Sequence, residues 1–175
     1  MSDSATGAAN GAGAAGAGTG PVLTHVDAAG HARMVDVSAK EVTAREARAS
    51  GRVRLAPAAV AALRAGTVPK GDALAVARIA GIQGAKKTPD LVPLCHPIAL
   101  HGVSVELAVA DDGVDITAVT RTADRTGVEM EALTSVAAAA LALVDMVKAI
   151  DPAAVITDVR VEEKLGGKTG VWRRP

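Results

Sequence analysis

The 175-residue sequence predicts an α+β fold of the ferredoxin-like split βαβ kind, an antiparallel sheet with helices packed on one face. Three observations point there. From Ala47 onward, segments with strand and helix periodicity follow one another as strand, helices, strand, strand, helix, strand. The two central strand segments, VSVELAVA (103–110) and VDITAVT (114–120), flank the sequence DDG, a strong hairpin signal. The helix segment before them carries the small residues Ala77, Gly81 and Gly84 near one stripe, which suits close packing on a sheet or a neighbouring helix.

Taken in order, residues 1–20, MSDSATGAANGAGAAGAGTG, read as a disordered Ala/Gly tail, and residues 21–175 as one domain. Asp3 stands where a secretory signal needs positive charge, and no strongly apolar segment follows it. ARMVDVS (32–38) and ARASGRVRLA (47–56) alternate as strands do, with Gly51 a bulge or bend. Pro57 opens a short helix that Gly66 stops. Asp72 caps a longer one, KGDALAVARIAGIQGAKK, which Pro89 ends. GVEMEALTSVAAAALALVDMVKAID is the longest helix, with Glu129 and Glu131 in its first turn and Pro152 closing it. AVITDVRVEEK (154–164) is the last strand, and the glycine-rich LGGKTG follows. Helices on only one face leave the other sheet face in need of a partner, so oligomerisation is expected.

Composition narrows the function. Lys plus Arg equals Asp plus Glu at 19 each, so the broad cationic field of nucleic-acid or acidic-membrane binding is missing. With no Phe or Tyr and one Trp, a sheet that stacks RNA bases is excluded and the core must be built of aliphatic side chains. A single cysteine cannot form an internal disulfide, which fits a cytoplasmic protein. The apolar run 135–144 is stopped by Asp145 and Lys148 before it reaches the roughly 20 residues of a membrane span.

Asp145 is the most informative residue, because a carboxylate near the C-terminal end of an apolar helix opposes the helix dipole. Lys148 lies within reach of it, either as an acid-base partner or as a plain helix ion pair. Glu131 and Asp145 fall within about 40° of one helix face but about 21 Å apart along the axis. Such a separation means a long site, or two ends of one helix serving sites shared between subunits. Lys70, just before a helix N-terminus, and Lys164 and Lys168, around Gly166 and Gly167, are candidate phosphate contacts, each weighed against a solvated lysine. The last segment is not a P-loop, since Glu162 stands where its first glycine is required. Cys95 reads as a buried small hydrophobe rather than a nucleophile. His96, set between Cys95 and Pro97, is the freer polar group. One cysteine and four scattered histidines show no metal-ligand spacing.

Four segments, LTHVDAAGHARMVDVSAKEVTAREARA, KGDALAVARIAGIQGAKKTPDLVPLCHPIAL, TGVEMEALTSVAAAALALVDMVKAID and GGKTG, stand in one order. Together they resemble the cyclic pyranopterin monophosphate synthases of molybdenum cofactor biosynthesis across essentially everything after the tail. The resemblance implies a ferredoxin-like subunit in a homohexamer, a trimer of dimers, with active sites at subunit interfaces. It implies a lyase that converts (8S)-3′,8-cyclo-7,8-dihydroguanosine 5′-triphosphate to cyclic pyranopterin monophosphate and diphosphate. No cofactor is required, since no redox step occurs, and nothing in the residues speaks for or against Mg²⁺. By motif, Asp145, Lys148 and Lys70 take catalytic positions. Leu94, Cys95, His96, Met130, Glu131 and Lys164 take substrate-binding ones, and Lys168 is expected beside them as a diphosphate contact. Arg125 stands where a lysine is expected before Thr-Gly. The competing class is a non-catalytic nucleotide-binding regulatory module, which needs the lysines but not Asp145.

Overall fold

The computed structural model describes residues 25–27, 29–168 and 170–175; the Ala/Gly tail lies outside the described residues. Strands β1 (Thr43–Arg54), β2 (Gly102–Ala110), β3 (Gly113–Asp124), β4 (Val155–Leu165) and β5 (Trp172–Arg173) form one sheet in the order β2-β3-β1-β4-β5. All pairs are antiparallel. The first four strands have the ferredoxin-like order, and the two-residue β5 extends the sheet edge, an element the sequence reading did not include. Asp111 and Asp112 make the expected hairpin turn between β2 and β3. Gly113 follows because the Val53 carbonyl fills the space a β-carbon would take.

Helices α1 (Pro57–Ala65), α2 (Ala73–Lys86), α3 (Thr88–Leu91) and α4 (Glu129–Val147) are the helices among the described residues. Pro57 sits in the first turn of α1, and Gly66 closes it in the left-handed conformation. The Asp72 carboxylate accepts from the Ala75 amide at 2.9 Å, capping α2. Two proline assignments are corrected. Pro89 lies in the first turn of α3, where its missing amide costs nothing, and α2 has already ended at Lys86. Likewise α4 ends at Val147, and Pro152 lies in the turn beyond. There Asp151 accepts from the Ala56 and Ala153 amides and ties the start of α1 to that turn.

The expected strand at 32–38 is also corrected: only Ala32 pairs, in an isolated bridge to Val26. Its polar groups have other partners. The Val35 carbonyl accepts from His96, and the Asp36 carboxylate takes the Ser38 amide, so no run of backbone groups is left for a ladder. β1 instead starts at Thr43 and pairs with β3 along its whole length. Its pairing with β4 shifts register between Ser50 and Arg52, which makes Gly51 the expected bulge.

The core lies between the sheet and the helices. Ala47, Ala49 and Val53 of β1 and Val114, Ile116 and Ala118 of β3 meet Val136, Ala139, Ala140, Leu143 and Val147 of α4. Among the described residues α4 alone is long and apolar enough to cross a bilayer, with mean hydropathy 1.7, yet these core residues are fully covered by protein. The open face of the sheet carries paired charges. Arg52 pairs with Asp112 and Asp115, Arg160 with Glu162, and Arg121 with Glu46. An antiparallel sheet with one polar face is stable in water.

Small residues set the spacing of the helix layer. A β-carbon on Gly84 would overlap that of Ala138, and one on Gly81 would lie 3.0 Å from the Ser135 carbonyl. Gly84→Ala should therefore reverse its intrinsic sign. The substitution favours an isolated helix by about 1 kcal/mol, but forcing α2 and α4 apart is expected to destabilise the protein by about 1–3 kcal/mol net. A lowered denaturant midpoint at unchanged m-value would show it; a raised midpoint would mean the helices are not in contact there.

Candidate active site

The N-terminal end of α4 faces two adjoining clefts, of about 460 Å³ and about 630 Å³. Leu94, Cys95, His96, Met130 and Glu131 line the smaller, so the two segments assigned to substrate binding do meet. Lys164, Gly166, Gly167 and Lys168 line the larger, with Arg45. Lys40, Gly127 and Glu129 belong to both and mark their junction.

Glu131 is 3% exposed, its carboxylate makes no ion pair among the described residues, and a hydrogen bond from its own backbone amide only partly offsets its burial. Burial raises its pKa to about 7, with the nearby Glu129 charge adding to the shift. Its role is thus more than helix-start electrostatics, which places charge in solvent. Cys95 touches the same environment, and its thiol is pushed up by burial first and then by Glu131. A thiol held protonated is a poor nucleophile. Cys95→Ser is therefore expected to keep kcat within about ten-fold of the parent; a larger loss, or a covalent adduct trapped on Cys95 during turnover, would assign it a chemical role.

His96 Nε2 lies 2.7 Å from the Val35 carbonyl and donates to it. In the neutral ring that leaves Nδ1 as an acceptor. The irregular 32–38 segment therefore has a function in the site, since it fixes the tautomer of His96.

In the larger cleft, Lys164 Nζ is 3.3 Å from Glu129 Oε1. Gly166 and Gly167 are both left-handed, at φ 89° and 71°, and a side chain at either would collide with Ala44 or Arg45 of β1. Glycine is needed there to lay the loop bearing Lys168 against the strand. Sequence reasoning missed Lys40, Arg45 and Glu129 as site residues. Glu129 signals in sequence only a helix start; Arg45 reaches the larger cleft because β1 begins at Thr43, ahead of its alternating segment, and Lys40 reaches both from the loop before it. Arg125, in place of the expected lysine, donates from Nε to the Lys40 carbonyl at 2.9 Å and holds the junction loop.

The remaining candidates collect at the other end of α4. Lys70 Nζ is 2.7 Å from Asp145 Oδ2, and Lys148 Nζ is 2.8 Å from Asp145 Oδ1. Hydrogen bonds from Lys148 and then Lys70 hold the Asp145 carboxyl at a pKa of about 2. A single chain thus assembles both halves of the expected site but keeps them apart: fourteen residues of helix place them about 21 Å from each other.

The comparisons with known proteins agree on one family. The family model described as the MoaC family matches residues 34–167. A cyclic pyranopterin monophosphate synthase of Streptomyces coelicolor is 70% identical over 152 residues, covering 87% of this chain and 89% of the relative. One from Nocardioides is 64% identical over 156 residues, 87% of this chain and 96% of the relative. Cyclic pyranopterin monophosphate synthase 2 of Mycobacterium bovis is 54% identical over 152 residues, 87% of this chain and 91% of the relative. The chain belongs to the MoaC family.

Proposed function

We propose that this chain converts (8S)-3′,8-cyclo-7,8-dihydroguanosine 5′-triphosphate to cyclic pyranopterin monophosphate and diphosphate, a lyase step in molybdenum cofactor biosynthesis. The observation that carries the reading is the pair of clefts meeting at Lys40, one with a buried carboxylate and a tethered histidine, the other with lysines and a glycine loop. The first suits the heterocycle, the second the triphosphate.

The chain's own groups supply the chemistry. Opening the imidazole-derived ring and closing the pyrazine and pyran rings are proton transfers. Glu131, titrating near neutrality, exchanges protons at the heterocycle in the smaller cleft. Lys70 and Lys148 are ammonium donors oriented by Asp145. When an anionic substrate draws either lysine away, Asp145 loses a hydrogen bond that lowers its pKa and becomes the stronger base. A substrate hydroxyl then attacks the α-phosphorus, its bond to the bridging oxygen breaks, and diphosphate leaves. Lys164 and Lys168 neutralise the charge that develops on it.

No electron is transferred, so the reading calls on no redox cofactor; it leaves Mg²⁺ assistance out of every step. It includes a homohexamer with shared sites and a cytoplasmic location for a GTP-derived substrate. A non-catalytic nucleotide-binding module gives no reason for a carboxylate between two lysines. Incubating the purified protein with the cyclised GTP intermediate and assaying diphosphate and the pyranopterin tests the reading. Binding without product would return the chain to the regulatory class.

A further inference from the structure

Residues 35–40 form a strap along the rim of the two clefts, with Val35 and Val37 lining the smaller and Lys40 lining both. A strap outside the sheet holds its place through individual bonds. At its start the Val35 carbonyl accepts from His96 Nε2 at 2.7 Å. In its middle the Asp36 carboxylate accepts from the Ser38 amide at 2.8 Å, and the Val37 carbonyl from the Lys40 amide at 3.0 Å. At its end the Lys40 carbonyl accepts from Arg125 Nε at 2.9 Å. The middle bonds shape the strap, and those at its two ends tie it to the rest of the chain.

The two ties differ in kind. His96 lines the smaller cleft, so its bond to Val35 is open to competition from a bound ligand. Arg125 is not among the residues that line either cleft, and it is itself fixed. Its amide donates to the Asp124 carboxylate at 2.6 Å, and the Asp124 carbonyl accepts from Arg45 Nε at 2.9 Å. The end of β3 thus holds Lys40 through Arg125 and Arg45 through Asp124. The Lys40 side chain is exposed and makes no ion pair among the described residues, so its backbone sets where its ammonium stands. Arginine suits this task, because Nε–H points in a direction fixed by the guanidinium plane, whereas a lysine ammonium is a rotatable point donor.

We infer that Arg125 is a positioning residue for the substrate: by holding the Lys40 carbonyl it keeps the Lys40 ammonium over the junction of the clefts, and it remains the anchor of the strap when a ligand engages His96. The junction is where the heterocycle gives way to the triphosphate. Arg125 therefore acts on affinity, through Lys40, and not on the chemical step. This deepens the proposed function and rests on it for the identity of the triphosphate.

Calorimetric titration with GTP, a triphosphate that lacks the bond between C3′ and C8, reads binding, and turnover of the cyclised GTP intermediate reads kcat and KM. Arg125→Met keeps the aliphatic stem and removes the donor. It is expected to weaken GTP binding and raise KM by about ten-fold, the scale of one hydrogen bond involving a charged group. Turnover should stay within about three-fold of the parent, as for a group that affects ground state and transition state alike. Arg125→Lys keeps the charge without the fixed donor direction, and should fall between the two. A double-mutant cycle with Lys40→Met separates positioning from a general structural role. If Arg125 acts through Lys40, the double variant binds GTP no more weakly than Lys40→Met alone. Losses that multiply, or parental affinity in Arg125→Met, would overturn the inference, as would a parent protein that does not bind GTP. Should Arg125→Met not fold, the cycle is run with Arg125→Lys, whose few-fold loss must likewise vanish beside Lys40→Met. A parent that binds GTP but makes no pyranopterin sinks the activity reading alone, since the cycle is read from binding.

Discussion

Asp145→Asn is expected to lower turnover by at least roughly 10³-fold, the scale of losing a proton-transfer group together with the charge that orients its neighbours. Both carboxylate oxygens are engaged, Oδ2 by Lys70 at 2.7 Å and Oδ1 by Lys148 at 2.8 Å. An amide keeps the shape but replaces one acceptor by an NH₂ group pointed at an ammonium. Folding should survive, because ion pairs exposed to solvent contribute little to stability. The expected result is an unchanged melting temperature beside a collapsed kcat, from thermal unfolding and steady-state kinetics on one preparation. A variant with near-parental turnover would remove Asp145 from the chemistry.

The pH dependence sharpens this prediction. Hydrogen bonds from Lys148 and Lys70 put the Asp145 pKa at about 2, below its ordinary value of 3.8. Its stabilising contribution is present above 3.8 and is lost only as pH falls through about 2. The free enzyme's kcat/KM should therefore show no limb from Asp145 between pH 5 and 8, a range in which the group is always ionised. Any limb found near neutrality belongs to another residue.

Much of this arrangement was legible in the sequence, for identifiable reasons. The hairpin, the cap at Asp72, the bulge at Gly51 and the small-residue contact of α2 are local or periodic features, written in adjacent residues. The 32–38 segment was misread because its alternation is that of a strand, whereas its backbone partners are a histidine sixty residues on and its own Asp36. Pattern reading does not see such partners. Lys40 and Arg45 were missed for a similar reason: only the fold brings the start of β1 against the GGK loop and the start of α4. The separation of Glu131 from Asp145 was readable, because a helix has a fixed rise. What needed the structure was the environment at each end: one carboxylate is buried with no cation beside it, and the other is exposed between two lysines.

That contrast leads to the prediction for Glu131. Its folded pKa is raised from 4.5 to about 7, first by burial. A raised carboxyl binds more protons folded than unfolded between those values, so folding stability falls as pH rises through that window and stays reduced above it. A shift of this size corresponds to about 3 kcal/mol at pH 8. Glu131→Gln keeps the shape and cannot ionise. It should match the parent near pH 4.5 and exceed it in stability by up to about 3 kcal/mol at pH 8. Denaturant unfolding at a series of pH values reads the difference directly. The same substitution should reduce kcat by roughly 10²–10³-fold and remove the limb near pH 7 from the rate profile. A more stable and less active variant is the signature of a carboxyl held out of water for its chemistry. If the variant loses stability equally at every pH, Glu131 is a structural hydrogen-bonding group and not the proton carrier of the smaller cleft.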